Sequence, residues 1–303
     1  MRPNLLSYNT VINALAQNPV SDSAARAEAL LTRMLKRYKA DAFSTVKPDV
    51  VTFSSVLNAL AKSKVKHKGM HLSFYVSFIP TKLILRLVAL IPATKCLAIL
   101  DAMIDLHEDD GGYDTTPNII CFNTILNACA FSAMAGDDEK KEALAAAVKT
   151  FKMLREKNFA RPDALSYGNM LKCIANLMPI GDARSSMAKT IFTSCCEEGM
   201  VGGMALDEIR RCLPSKEFLQ LLSKCGYGKP LRQHSNAMSV TLKSLPSKWT
   251  ENVKRGDLVT RQRKSVIKNR QAVKDMAQSQ RNVPVFRNPT FLVEPSWASG
   301  KDL

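Results

Sequence analysis

The sequence predicts an all-α protein made of stacked helical hairpins, because one helical pattern occurs four times along the chain. Each copy opens with Pro and then Asn or Asp, which suits a helix start: proline fixes φ, and the next side chain caps exposed N–H groups. Apolar residues then fall at i, i+3, i+4, i+7 and i+8, the buried stripe of an amphipathic helix. The copies are PNLLSYNTVINALA from Pro3, PDVVTFSSVLNALA from Pro48, PNIICFNTILNACA from Pro117 and PDALSYGNMLKCIA from Pro162. The first stripe is Tyr8, Val11, Ile12, Leu15 and Ala16.

A second amphipathic segment follows each copy. It carries one small residue followed by three larger ones at helical spacing, which predicts a second helix antiparallel to the first. The four sets are Ala27, Leu30, Leu31, Met34; Cys96, Ile99, Leu100, Met103; Ala147, Thr150, Phe151, Leu154; and Ala188, Ile191, Phe192, Cys195. Two antiparallel helices cannot bury their apolar faces alone, so we expect neighbouring pairs to stack into a solenoid.

At these residues the chain resembles the pentatricopeptide repeat family. That family places a Pro-Asp or Pro-Asn pair before a first helix of the type V-V-T-Y-N-T-L-I, and LLSYNTVINAL from Leu5 and VVTFSSVLNAL from Val50 are close to it. The resemblance covers roughly residues 3–200 and implies a right-handed superhelical solenoid of helix-turn-helix units. The tetratricopeptide repeat is the nearest alternative, but its Trp and Leu-Gly signature is absent from these copies.

The repeat pattern divides the chain into hairpins, a cap and an extension. The four hairpins span 3–47, 48–116, 117–161 and 162–200. Residues 201–228 predict two short capping helices, and residues 229–303 form a basic C-terminal extension that we expect to be partly disordered. We also expect an N-terminal truncation, because a solenoid normally begins with a cap that shields its first repeat.

The second hairpin contains an insertion at residues 70–92. It has 42 residues between its helix anchors where the other hairpins have 18 to 24, and deletion of the insertion leaves 19. Pro80, Lys82 and Arg86 disfavour a membrane-spanning helix. We interpret the segment as a translated intron or gene-model error, with an inserted amphipathic helix as the alternative. A spliced transcript that still encodes Phe74 to Leu90 would refute the first interpretation.

Charge favours a polyanionic partner. The formal net charge is +16 and the pI is about 9.6, and residues 229–303 alone carry +10. Basic segments of this kind attract phosphate without sequence preference. The predicted phosphate contacts are Arg261, Arg263, Lys264, Lys268 and Arg270.

No motif predicts catalysis, a cofactor or a metal site. The eight cysteines include no C-x-x-C pair, and the four histidines complete no zinc-ligand spacing. A phosphate-binding glycine loop and a nucleophile elbow are likewise absent from the sequence. We therefore expect a reduced intracellular protein that is not an enzyme.

The family resemblance also implies which residues read RNA bases. In the family the fifth residue of a repeat pairs with its last, and this carries over to Asn9 with Asp49, Ser54 with Asn118, and Asn123 with Asp163. The family pattern implies that Asn with Asp favours uracil and that Ser with Asn favours adenine, so the expected order is U-A-U. Gly168 has no side chain for a fourth pair. Alternatively, the Asn residues are ordinary surface residues and the Asp residues are only helix caps.

These features predict a monomer that binds single-stranded RNA without membrane contact, in RNA processing, stability or translation. The alternatives are a protein-interaction scaffold and an accessory subunit of an RNA-processing or ribosomal assembly, with proteins of those assemblies as partners. The resemblance implies a mitochondrion or plastid, and nucleus and cytoplasm stay open.

Overall fold

Ten α-helices account for most of the chain that the structure describes. It is a computed structural model, and it describes residues 3–18, 22–40, 45–63, 92–110, 113–134, 136–157, 159–227 and 239–254. The helices are α1 Leu5–Gln17, α2 Ser23–Ala40, α3 Val50–Lys62, α4 Pro92–Asp110, α5 Ile119–Ala130, α6 Asp137–Glu156, α7 Ala164–Leu177, α8 Asp182–Glu197, α9 Gly203–Cys212 and α10 Ser215–Lys224. Short 3₁₀ turns cover Tyr113–Thr115, Phe131–Met134, Leu242–Ser244 and Ser247–Thr250. No strand occurs in these ranges, so the all-α class is confirmed.

Two predictions concern residues beyond this description. Of the insertion at 70–92, all but Pro92 lies outside the described residues, and Pro92 begins α4. The basic extension is described only at residues 239–254. The predicted phosphate contacts at residues 261–270 lie outside the described ranges.

The predicted side-chain caps start all four first helices. Asn4, Asp49, Asn118 and Asp163 each occupy the N-cap position of α1, α3, α5 and α7 in extended backbone. Each accepts a backbone N–H bond of 2.8–3.2 Å from the first turn of its helix. Because the cap side chain satisfies N–H groups that the helix cannot, the Pro-Asn and Pro-Asp pairs fix where these helices begin.

The odd-numbered and even-numbered helices form two layers. In one layer α1 packs against α3, α3 against α5, α5 against α7, and α7 against α9. Each second helix packs against the first helix of its own hairpin and against the first helix that follows it. The hydrophobic core lies between the layers and runs continuously from Tyr8 to Trp249.

The predicted apolar stripes form this core, with one exception. Of the sixteen residues predicted for the second helices, all are buried except Leu30 and Ile191, which are half-buried. Val11 was predicted to be buried in α1, and this was wrong, since its side chain is 50% exposed. Its counterparts Val56 and Ile125 are fully buried, and both belong to helices that pack against a preceding first helix.

Ion pairs join each second helix to the next. Lys95 of α4 contacts Glu28 of α2 at 3.3 Å, and this pair is nearly buried. The other pairs are more exposed. Asp101–Lys149 at 2.9 Å joins α4 to α6, and Glu108–Lys157 at 3.0 Å joins α4 to the residue after α6. Arg155–Glu198 at 3.8 Å joins α6 to the C-cap of α8, and Lys189–Glu217 at 2.6 Å joins α8 to α10. Exposed pairs contribute little to stability, so the register of this layer depends more on the buried pair.

The segment Ser239–Lys254 returns to the last hairpins and closes their end. The Trp249 ring packs edge-on against Phe192 of α8, with ring centroids 6.4 Å apart. The backbone N–H of Val201 donates to Trp249 O at 2.8 Å, and that of Asn252 donates to Gly199 O at 3.1 Å. Gly199 has φ of +67°, a left-handed conformation that favours glycine.

Among the helices of the described ranges, none combines the length and the apolar character that crossing a bilayer requires.

The Lys95→Met variant tests the buried ion pair. Burial raises the pKa of the Glu28 carboxyl above its usual value of 4.5, and Lys95 opposes this shift. Without Lys95 a charged carboxylate stays buried and unpaired, so we expect a loss of about 3 kcal/mol in unfolding free energy at pH 7. A carboxyl with a raised pKa binds its proton more tightly in the folded state, so this loss should shrink as pH falls towards 4.5.

Urea unfolding of the full chain at several pH values measures both effects. Lys149→Met is the matched control, since its pair with Asp101 is exposed and should change stability by no more than about 0.5 kcal/mol at any pH. Equal losses in the two variants would contradict the assignment.

Candidate nucleic-acid interface

Asn9 of α1 meets the cap of the following first helix. Its Nδ2 donates to Asp49 Oδ1 at 3.1 Å and to Oδ2 at 3.3 Å. Its Oδ1 accepts from the Thr52 hydroxyl at 2.6 Å, and that hydroxyl also contacts Asp49 Oδ1 at 2.8 Å. Both ends of the carboxamide are therefore held by α3, which fixes its orientation.

The same arrangement recurs between α5 and α7. Asn123 Nδ2 donates to Asp163 Oδ1 at 3.1 Å, and Asn123 Oδ1 accepts from the Ser166 hydroxyl at 2.7 Å. Ser166 Oγ also lies 2.9 Å from Asp163 Oδ1. We call each set of Asn, Asp and hydroxyl a clamp. Residues predicted to act together from sequence are thus in direct contact in two of the three predicted pairs.

The Asp residues are helix caps, and they also bind the Asn amides of the preceding first helix. The Asp49 and Asp163 carboxylates accept the backbone N–H of Thr52 and Ser166 as helix caps, each at 2.8 Å, while they also accept from the Asn amide. An Asn amide has two N–H donors and an oxygen with two lone pairs, so the clamp leaves it further hydrogen-bonding capacity. Asn123 is only 7% exposed, whereas Asn9 is half-buried.

The third predicted pair is not brought together by a hydrogen bond. The Ser54 hydroxyl donates to Val51 O of its own helix at 3.2 Å. Asn118 Oδ1 accepts from the backbone N–H groups of Ile120 and Cys121. Cys121 stands where the clamps have Thr52 or Ser166, so the bridging hydroxyl is missing.

Packing explains the glycine in the fourth first helix. A Cβ on Gly168 would lie 2.9 Å from the Cβ, Cγ and Sδ atoms of Met204 in α9. Met204 therefore occupies the space that the side chain of a fourth reading residue would need. The row of polar pairs ends here because α9 packs closely on α7.

Sequence reasoning missed a row of exposed apolar side chains beside the clamps. The side chain two residues after the cap is exposed in each first helix: Leu6 73%, Val51 50%, Ile120 59% and Leu165 36%. Each lies three residues before the predicted reading position, and hence on a neighbouring part of the same helix face. We call these four residues the apolar row. The signal in the sequence was an apolar residue outside the stripe at the same place in every copy.

Cationic side chains lie further along the first helices. Lys62 Nζ donates to Ala16 O at 3.0 Å, and so caps the C-terminal end of α1. Lys172 Nζ lies 3.4 Å from Asn127 Oδ1 and 3.9 Å from the centroid of the Phe131 ring. Asn127 follows the clamp residue Asn123 by four positions, one helical turn away on the same face. The described part of the interface therefore carries positive charge about one to two turns from the clamps.

Within the described residues, no group of three or more His, Cys, Asp or Glu side chains is arranged to hold a metal ion. No protein-family model matches this chain, and no curated protein matches it either. The family resemblance thus stays a prediction that depends on the repeated residues.

The Asn123→Ala variant tests the clamp as a structural unit. It removes the acceptor of Ser166 and a donor to Asp163, so we expect a loss of about 2 kcal/mol in unfolding free energy. Ser54→Ala is the matched control, because its hydroxyl bonds only to its own helix and should cost at most about 0.5 kcal/mol. Urea unfolding of both variants checks this, and an Asn123→Ala variant as stable as Ser54→Ala would contradict it.

Proposed function

We propose that the chain is a right-handed superhelical solenoid of pentatricopeptide-type hairpins that binds single-stranded RNA with sequence selectivity and without catalysis. The observation that carries this proposal is the recurrence of the clamp at the same register in the first and the third of the interfaces between hairpins. Helical repeat proteins of this kind read one base per repeat with two or three side chains. Asn9 with Asp49, and Asn123 with Asp163, are such sets.

The clamp supports base reading because it orients the Asn amide before any ligand arrives. Asp49 and Thr52 already hold both ends of the Asn9 carboxamide, so binding a base edge costs little side-chain entropy. An amide offers both a donor and an acceptor, which suits the edge of uracil. Under the same proposal, Ser54 with Asn118 reads the central base, which lies between the bases read by the two clamps. The Ser54 side chain is not held by a clamp.

The apolar row supports contact with base faces. Base faces pack on apolar as well as aromatic side chains, and stacking on aromatic side chains adds about 1–3 kcal/mol per base in known single-strand binders, without regard to sequence. The side chain of Val51 is 50% exposed and that of Ile120 is 59% exposed. Both lie beside polar residues that could contact the base edge. The face and the edge of a base would thus meet different residues of the same helix.

The charge supports a nucleic-acid partner over a neutral one. Net charge of +16 draws the chain to phosphate, and the basic residues at 261–270 would add affinity without selectivity. RNA processing, stability or translation in a mitochondrion or plastid is the setting that the family resemblance favours.

Selection of the full chain against a randomised single-stranded RNA pool tests sequence reading. We expect a U-A-U element to be enriched, and the Asn9→Ala, Asn123→Ala double variant to bind the selected RNA about tenfold more weakly per lost pair, or about 1.4 kcal/mol each. Ser54→Ala is the control for the two outer positions, and it should change the base preference only at the central position.

Salt dependence separates RNA binding from the alternatives. RNA affinity should fall linearly on a log–log plot against salt concentration, because phosphate contacts release counterions. RNA binding without sequence preference, unchanged in the double variant, would refute base reading. Failure to bind RNA at moderate salt would favour a protein scaffold or accessory subunit.

Replacement of Leu6, Val51 and Ile120 by Ser tests the apolar row separately. The three side chains are exposed, so thermal stability should stay close to that of the parent. RNA affinity should fall for all sequences alike, because stacking does not distinguish bases. Fluorescence anisotropy with the selected RNA and with a scrambled RNA measures this. A change in sequence preference at constant affinity would contradict the assignment.

A further inference from the structure

Two cysteines meet where α8 and α10 end. Cys196 lies in the last turn of α8 and is 3% exposed, while Cys225 follows α10 as its C-cap and is half-buried. Their thiols are close enough to shift each other's pKa. They are separated by 29 positions in sequence and come from different helices.

A third group completes this site. Thr193 Oγ1 lies 3.7 Å from Cys225 Sγ, and Thr193 precedes Cys196 by one helical turn on the same face of α8. The sulfur of Cys225 therefore faces two hydrogen-bonding side chains of α8. The Lys189–Glu217 ion pair, at 2.6 Å, joins the same two helices about two turns away from the thiols.

This surrounding makes Cys225 the more acidic thiol of the pair. The interaction with Cys196 lowers the pKa of Cys225 to about 6, and the Thr193 hydroxyl contributes to this shift, while burial and the Glu197 carboxylate oppose it. The same contact, together with burial, raises the pKa of Cys196. Cys225 is thus both the more accessible thiol of the pair and the one with the lower pKa.

The other described cysteines have a different environment. Cys96, Cys173 and Cys195 are fully buried, and burial raises the pKa of each thiol. A thiol of this kind behaves as a small apolar side chain. Reactive cysteines instead combine thiolate character with access to solvent and often have a second thiol nearby. Of the described cysteines, Cys225 combines these features.

We propose that Cys225 and Cys196 form an oxidation site that takes a hydroperoxide as oxidant and closes a reversible disulfide between α8 and α10. The Cys225 thiolate attacks the peroxide oxygen; the O–O bond breaks, the thiol becomes a sulfenic acid, and one water leaves when hydrogen peroxide is the oxidant. The Cys196 thiol then attacks the sulfenic sulfur, which forms the S–S bond and releases a second water. Two thiols are oxidised and one peroxide is reduced to two waters, and a dithiol reductant reverses the change.

The disulfide would tie the last helical hairpin to the rest of the chain. α9 packs against α8 and against α10, and one exposed ion pair joins α10 to α8. A covalent bond from α8 to the end of α10 reduces the conformational entropy of the unfolded chain. It should therefore raise the unfolding temperature. The site is independent of the proposed RNA interface, which lies on the first helices.

Brief hydrogen peroxide treatment of the full chain, followed by alkylation and peptide mass mapping, tests the proposal. We expect a peptide containing Cys225 linked to the peptide containing Cys196, with a mass loss of two hydrogens that a dithiol reductant restores. In the reduced chain, Cys225 should react with iodoacetamide at pH 7 at least about tenfold faster than any other described cysteine.

Three variants assign the atoms. Cys225→Ser should abolish the link, and Cys196→Ala should leave Cys225 as a sulfenic acid that dimedone labels. Cys195→Ala is the matched control and should leave the Cys196–Cys225 link intact, since it removes the neighbouring thiol in the same peptide. Circular dichroism of each reduced variant checks the fold, and Cys225→Ala serves if Cys225→Ser unfolds.

The outcomes decide the proposal without ambiguity. A Cys225–Cys196 link that survives in Cys195→Ala supports it. A link from Cys225 to Cys195, a Cys225 that alkylates no faster than the buried thiols, or an intact chain with no linked peptide after peroxide treatment would each overturn it.

Discussion

In two of the interfaces between first helices, the register depends on a carboxylate that binds both helices at once. Asp49 caps α3 and also binds Asn9 of α1, and Asp163 does the same for α7 and α5. A cap fixes where its helix begins, so binding that cap from the preceding helix fixes the axial position of one helix against the other. A slide of α1 along α3 by one turn would break the cap contact and the hydroxyl contact together. Position and orientation are therefore set by the same small group of atoms.

Further bonds carry this register along the layer. Between α5 and α7, Asn169 Nδ2 donates to Asn123 O at 3.3 Å, and Asn176 Nδ2 donates to Ala130 O at 2.8 Å near the other end. Cys173 Sγ contacts Leu126 O in the same interface, and Cys212 Sγ contacts Leu171 O in the next. The last pair is the same contact shifted by one hairpin, so α9 continues the layer in register with α7. The segment predicted as a cap therefore contains a helix placed like the first helices.

Local chemistry made much of this fold predictable, and contacts between distant segments account for what the sequence could not predict. The caps and stripes follow from residues close together in the chain, and so they were found. Val11 was assigned to the core by its spacing alone, but its burial depends on which helix lies beside it. The close approach of Met204 to Gly168 and the contact of Cys196 with Cys225 join segments with no shared pattern. The sequence showed the apolar row as an apolar residue repeated at the same position of each copy. Only the structure showed that these side chains are exposed and lie outside the core.

The three predicted pairs differ in how far the chain itself orders them, and this difference follows from single residues. A clamp needs an amide in one helix, a carboxylate cap in the next and a hydroxyl three residues beyond that cap. Between α3 and α5 the amide is replaced by Ser54, the carboxylate by Asn118 and the hydroxyl by Cys121. Ser54 is then too short to reach the cap, and the Asn118 side chain bonds only to its own helix. Hydrogen bonds hold the outer pairs together, and no such bond joins the two residues of the central pair. If RNA is the ligand, binding of the central base must also order the Ser54 and Asn118 side chains, which costs conformational entropy. The central base should therefore contribute the least affinity of the three.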